Sequence, residues 1–522
     1  MRTLPVIVVV HLLLVSICAA GERRYAFEKI QLNNGLTVIS LEDFSCPIAA
    51  VQVWYHVGSK DEEPHRQGFA HMFEHMMFRG TDRLNETAHF DNIRRVGGDC
   101  NAYTSFDNTT YIQVVPADQV EMVLWLESER MAFLKIDQKG FDTERRVVEE
   151  ELRMGHNAPY GRVPEKLLGE IYGTGCYGWT PGGQIADLRA SSIDDLAAFW
   201  NKYYVPNNAT LVVVGAIHHA DVQSLAHRYF DWIPHCPDVK HPPRPEDTQD
   251  KARTIKISED KGPLPILGAL YRIPPERTPD FLPMHIAMGI LGGGESSRLY
   301  EDVVRDKKIA QVAMAASFGF ELDGMAAAGG LLLPFGKKKE LMNEVKEQIK
   351  NLRENPVSAH ELTKLKNELR REEIDAAETV ANKATKLGSY AVLWGDAERI
   401  NRRLEEIDAV SIEDVQRVAK KYLENDRRIS VLVEPSATGM LNSLLSKSDK
   451  DAQADLPPAS DKDNRVAPRM GCKASAKRPA DFPATPPAGK LSSDFTLAAH
   501  ENKKLANGLE VVCVPNRELP LV

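Results

Sequence analysis

The chain lacks an excess of basic charge. Its 522 residues carry 65 lysines and arginines against 74 aspartates and glutamates, a net charge of -9. That balance gives no general attraction to nucleic acid or to an anionic membrane surface. Closely spaced cysteine pairs are lacking as well. Cys46, Cys100, Cys176, Cys236, Cys472 and Cys513 are scattered, with no C-x-x-C spacing among them, which argues against a zinc ribbon and a small disulfide framework. Whether any of the six pair is left open by the spacing. An apolar run of membrane-spanning length is also missing. "LPVIVVVHLLLVSICAA" (4–20) falls short of the ~20 residues a span needs. Arg2 in front of it and Cys18-Ala19-Ala20 at its end make a secretory signal, with cleavage expected after Ala20. A lipoprotein signal fits less well, because Ile17 sits before Cys18 where a small residue is wanted. The mature chain is expected to be exported, periplasmic or secreted, without a stable membrane span.

What is present is organised by two repeats. "SIDDLAAFWNKYYVPNNATLVVV" (192–214) aligns without gaps on "SIEDVQRVAKKYLENDRRISVLV" (411–433). Each copy opens with S-x-x-D, in which the serine caps a helix start, and each runs on into an apolar strand. "LNNGLTVI" (32–39) returns as "LANGLEVV" (505–512), a pair of strand-like segments around an Asn-Gly turn. Strands arrive in hairpins and helices in groups, which indicates an α+β fold. The expected layout is a signal at 1–20, two homologous domains at 21–235 and 236–435, and a linker at 436–495. The linker is rich in Pro, Ala, Ser, Lys and Asp and is expected to be disordered. Residues 496–522 would begin a second two-domain unit.

"GFAHMFEHMMFRGT" (68–81) places His71, Glu74 and His75 within five positions. Residues 66–78 contain no proline and have helical composition. On a helix, positions i and i+4 share a face and i+3 lies beside them. The two imidazoles can therefore grip one zinc ion while Glu74 serves as base toward the attacking water. Such a centre needs a third protein ligand. "DTERRVVEEELRMGH" (142–156) is a candidate source. Glu144 and Glu151, two turns apart, share a face with Val147 and Val148 between them, whereas Glu149 and Glu150 turn progressively away. A charge run is commonly a solvated acidic face, but the valines inside the Glu144–Glu151 stripe suggest that this side packs inward, where carboxylates need a partner.

H-x-x-E-H and the glutamate-rich helix after it resemble the pitrilysin/insulinase-like zinc peptidases. In that family the third ligand stands about 76 positions after the second histidine, with a supporting glutamate seven residues earlier. The resemblance implies that His71, His75 and Glu151 bind zinc, one ion per catalytic domain, with Glu74 as the base and Glu144 supporting the ligands. It covers nearly all of 25–435. "GGDCNAYTSFDNTTYI" (97–112) is similar to the family's substrate-side strand, which implies that Asn101 and Ala102 hold an extended peptide. "LGGGESSRLYEDVVRDKKIAQVAMA" (291–315) is similar to its second-domain block and departs from it. Arg305 stands where a substrate-reaching arginine is expected, but Gln311 is near the place of the accompanying tyrosine. The implied fold has two α+β domains facing one another around a chamber. The implied activity is zinc-dependent endopeptidase action on peptides or unfolded segments, with a second homologous unit, in the same chain or in a homodimer, as partner. A non-catalytic peptide-binding or structural subunit is the alternative.

Overall fold

The computed structural model describes residues 25–247, 251–436, 464–489 and 501–513. The expected signal at 1–20 lies outside the described residues, as does much of the expected linker. Strands β1 (Glu28–Gln31), β2 (Thr37–Glu42), β3 (Ile48–Tyr55), β4 (Asp99–Thr104), β5 (Thr109–Pro116) and β6 (Ala209–Gly215) form one sheet. Its order is β1-β2-β6-β3-β5-β4. Strands β7 (Arg253–Glu259), β8 (Ile266–Ile273), β9 (Ala310–Gly319), β10 (Gly324–Leu332) and β11 (Ile429–Pro435) form a second sheet, ordered β7-β11-β8-β10-β9. Each sheet contains one parallel pair, β2 with β6 and β7 with β11, and is otherwise antiparallel.

The aligned repeats explain this likeness. Ser192 accepts the Asp195 amide and Ser411 the Asp414 amide, each in a reciprocal capping box. Helices Ile193–Tyr203 and Ile412–Tyr422 follow, and they lead into β6 and β11, the strands that form the two parallel pairs.

One face of each sheet is covered by its own half and part of the other face by helices of the opposite half, as period-2 alternation shows, while Val312, Met314 and Phe318 of β9 stay exposed. Along β6, Leu211 and Val213 enter the core of the first half. Val212 and Val214 point the other way, into a cluster with Val380, Ala384 and Leu387. Those partners lie on helix Val380–Leu393, which comes from the second half of the sequence. The second sheet receives the reverse gift: Val163, Leu168 and Ile171 of helix Val163–Tyr172 pack with Ile255, Ile257, Ile429 and Val431. The expected boundary at 235/236 therefore divides two halves that exchange helices. Polar ties reinforce the join. Buried Lys60 lies 2.7 Å from Asp61 and 3.5 Å from Glu321. The Tyr177 hydroxyl donates to Asp107 and accepts from the Leu322 amide.

Two regions differ from expectation or extend it. Within the stretch 436–495, residues 464–489 lie against the first half instead of forming disordered linker. The composition is poor in apolar residues, but its few anchors are well placed. Cys472 forms a disulfide with Cys236. Phe482 is buried with its ring near Trp125, Tyr229 and Trp232, and burying a side chain of that size stabilises by about 2 kcal/mol. The repeated Asn-Gly segment forms a hairpin of β12 (Glu501–Lys504) and β13 (Glu510–Cys513). Gly508 takes φ 89° at the turn, as Gly35 takes φ 87° between β1 and β2. The first hairpin is sealed into its sheet by β6, whereas every residue of the second is exposed.

Candidate metal centre

The motif helix spans Phe69–Met76. Met72, Phe73 and Met76 anchor its buried side, which turns the 71/74/75 side toward the neighbouring elements. Gly68 caps it at φ 93°, and a Cβ there would stand 2.8 Å from the Gly182 carbonyl oxygen. The Glu62 carboxylate accepts the Gly68 and Ala70 amides, each at 2.9 Å. It thereby satisfies first-turn N–H groups that have no partner within the helix.

The second contributor is helix Gln138–Asn157, which packs beside the first. His71 Nε2 is 3.7 Å and His75 Nε2 3.5 Å from the same Glu151 oxygen. One ligand atom from each of His71, His75 and Glu151 lies within 4.8 Å of the other two. Two imidazoles and a carboxylate make a donor set that suits zinc. Glu144 receives His75 Nδ1 at 3.2 Å, which leaves Nε2 with its lone pair facing inward. Glu144 is itself approached by Arg79 at 3.4 Å. Burial works against a charged His75, yet the hydrogen bond and charge of Glu144 hold its pKa above the usual 6.5. Burial moves His71 the other way. The residues present fit the metal.

Glu74 stands outside the triad but beside it, and accepts a hydrogen bond from the Thr104 hydroxyl at 2.8 Å. Thr104 ends β4, the edge strand of the first sheet, with β5 on one side only. Asn101 and Ala102 lie on that same strand, Asn101 exposed and its side-chain oxygen accepting the Ala102 amide. Thr104 and Arg79 went unnoticed in the sequence. Spacing could have revealed Thr104, which shares a strand face with Ala102; Arg79 lies past the end of the motif helix, where helical spacing no longer applies.

Three expectations need restating. Glu149 turns off the Glu144–Glu151 stripe but is not solvated. It is 2% exposed and is held by Arg153 and Arg189, because the helix has a second inward face against helix Ile185–Ala190. Only one of the two valines is inward: Val148 is buried and Val147 is exposed. Arg305 is an exposed side chain bonded to Glu301 and Asp306 of its own short helix, Tyr300–Asp306. Among the described residues it makes no hydrogen bond or ion pair to the triad.

Comparisons with known proteins find relatives among peptidases. Residues 37–178 match the family model "Insulinase (Peptidase family M16)", and residues 191–369 match "Peptidase M16 inactive domain". The zinc protease PqqE of Helicobacter pylori is 30% identical over 416 residues, covering 78% of this chain and 93% of that protein. The crystal structure of a protease from Helicobacter pylori superposes with a TM-score of 0.74 at 27% identity, covering 79% of this chain and all of that one. The periplasmic protease PqqL of Escherichia coli shares the fold at a TM-score of 0.66 and 20% identity, covering 95% of this chain and 56% of that one.

Proposed function

We propose, for a chain that belongs to the insulinase (M16) family of peptidases, that it is an exported zinc endopeptidase acting on peptides or unfolded segments. The observation that carries this reading is the convergence of His71, His75 and Glu151 with Glu74 alongside. Zinc held there would supply Lewis-acid polarisation of the scissile carbonyl. The chain's own residues do the rest. Glu74 takes the proton of the attacking water and can return it to the leaving amine. Thr104 fixes the carboxylate that does so, and Glu144 fixes the ring of His75. An extended substrate would add to the open edge of β4 by main-chain pairing, with Asn101 and Ala102 along it. Arg305 would join only by trading Glu301 and Asp306 for a substrate carbonyl.

Export is supported by the amino-terminal signal pattern and by the Cys236–Cys472 disulfide, a bond that persists in oxidising compartments. The similarity to a periplasmic protease points the same way. No helix among the described residues is long and apolar enough to cross a membrane. A second two-domain unit, tethered in the same chain or supplied by a second copy, would complete the enclosure of the site. Zinc analysis with a peptide-cleavage assay, run beside Glu74→Gln, tests the proposal. Wild-type protein that holds zinc but cleaves no peptide would favour a non-catalytic peptide-binding role.

A further inference from the structure

Residues 464–489 lie across the first half, where they touch the helix that carries Glu151 and the chain that follows the motif helix. At the start of helix Gln138–Asn157, three successive amides need partners from outside the helix. Gln138 N–H donates to the Arg465 carbonyl at 2.8 Å, Lys139 N–H to the Asn464 side-chain oxygen at 3.0 Å, and Gly140 N–H to Asp137 at 2.7 Å. Two of these three acceptors belong to the 464–489 segment. The pairing continues as a β-bridge between Asp137 and Val466, and the Ala467 amide donates to Ile136 O at 2.8 Å. Glu144 and Glu151 stand on this helix, within two and four turns of that capped end.

The same segment also holds the chain that follows the motif helix. Arg83 donates to the Pro483 carbonyl at 3.2 Å. Arg478 binds the buried Glu129 and covers the Phe133 ring, and Thr81 donates to Glu129 as well. Arg465 forms a two-pronged pair with Asp194, and buried Lys473 places its amine 3.0 Å from the centre of the Trp200 ring. Between these contacts lies the disulfide to Cys236.

We propose that residues 464–489 are a positioning strap for the metal centre. The strap fixes helix Gln138–Asn157 against the motif helix, and Cys236–Cys472 locks it in place in a way that a dithiol can undo. In that step the dithiol gives two electrons and two protons, the S–S bond becomes two thiols, and the dithiol closes to its own disulfide. The positioning part rests on the proposed zinc triad; the attachment of strap to helix stands on geometry alone.

The test uses the full chain as wild type, Cys472→Ser and Cys472→Ser/Phe482→Ala. The last also removes the strap's main apolar anchor, should polar contacts alone keep the strap seated. Amide exchange is followed at 138–141, strap release by limited proteolysis at 464–489, and zinc retention by chelator competition in the absence of thiols. Release of the strap should speed exchange at 138–141 on the order of tenfold, the scale of losing a helix cap. Zinc should then pass to chelator ~10–100-fold more readily, the scale of losing support for a metal ligand. Dithiol treatment of wild type should reproduce the exchange change. A released strap with unchanged exchange and unchanged zinc retention overturns the proposal, and a strap that stays protected in dithiol overturns its redox part. A wild-type chain that binds no zinc would sink the functional reading instead, with exchange at 138–141 still deciding whether the strap caps the helix.

Discussion

Apart from the additional edge strand β1, the two sheets share a strand order, and a helix follows the matching strand in each, yet the two helices carry different side chains. After β3 comes "FAHMFEHM" (69–76); after β8 comes "FLPMHIAMGILG" (281–292). Aligned from their first residues, Phe69 matches Phe281, Met72 matches Met284 and Met76 matches Met288. All of these are buried or packed against the core of their half. The other side is exchanged: Pro283, Ile286 and Ala287 stand where His71, Glu74 and His75 stand. The side that builds the core is kept, and the side that builds the site is not. Core and candidate site are thus encoded on separate sides of one helix. Among the described residues, a three-ligand cluster occurs in the first half and not in the second.

The comparison breaks most visibly if the first half loses its donors. His71→Ala or Glu151→Ala should release the metal and abolish cleavage, leaving both halves alike in having no site. Glu74→Gln should keep about one zinc per chain while cleavage falls by at least ~10²-fold, the scale of removing a general base. Metal analysis and peptide cleavage on the same samples separate the two cases, and full activity in Glu74→Gln would refute the mechanism.

Glu144→Gln should have a smaller effect, weakening zinc affinity or activity by ~10–100-fold, as expected for a group that orients a ligand from behind. Chelator competition measures it. Glu149 sharpens the contrast within one helix. Buried and paired with Arg153 and Arg189, it serves the fold. Glu149→Gln should cost about 1–3 kcal/mol of stability in a denaturant titration while zinc affinity stays near wild type. Loss of zinc in this variant with Glu151→Gln unaffected would mean that the ligand has been misassigned.

The smallest effect concerns what the halves share. Each packs a histidine away from the candidate triad: buried His89 in the first and partly buried His285 in the second. Burial, with the charge of Arg130 near one and Arg403 near the other, holds both below the usual 6.5. A depressed folded-state pKa means that the unfolded chain binds the proton more readily. The stability these groups contribute is therefore present above pH 6.5 and declines as pH falls toward their folded-state values. Urea midpoints should drift downward from pH 7.5 to pH 5, and less so in His285→Ala, with the zinc count unchanged. An equal drift in that variant would exclude His285 as a contributor.

Local order was legible in the residues themselves. The i, i+4 spacing of His71 and His75, the capping serines at 192 and 411 and the Asn-Gly hairpins all depend on near neighbours along the chain, where backbone sterics and short-range hydrogen bonds dictate the outcome. Family spacing, rather than any local pattern, singled out Glu151, since periodicity alone could not say which carboxylate of a four-glutamate helix meets a histidine 76 positions earlier. Tertiary structure decided the remainder: that Glu149 is buried, that Thr104 holds Glu74, that the two halves exchange helices, and that Cys236 finds Cys472 across 236 residues. Each of these depends on which surfaces bury one another. That choice is made by the whole chain competing for apolar contact and for partners to its buried polar groups, and no short window of sequence contains both sides of it.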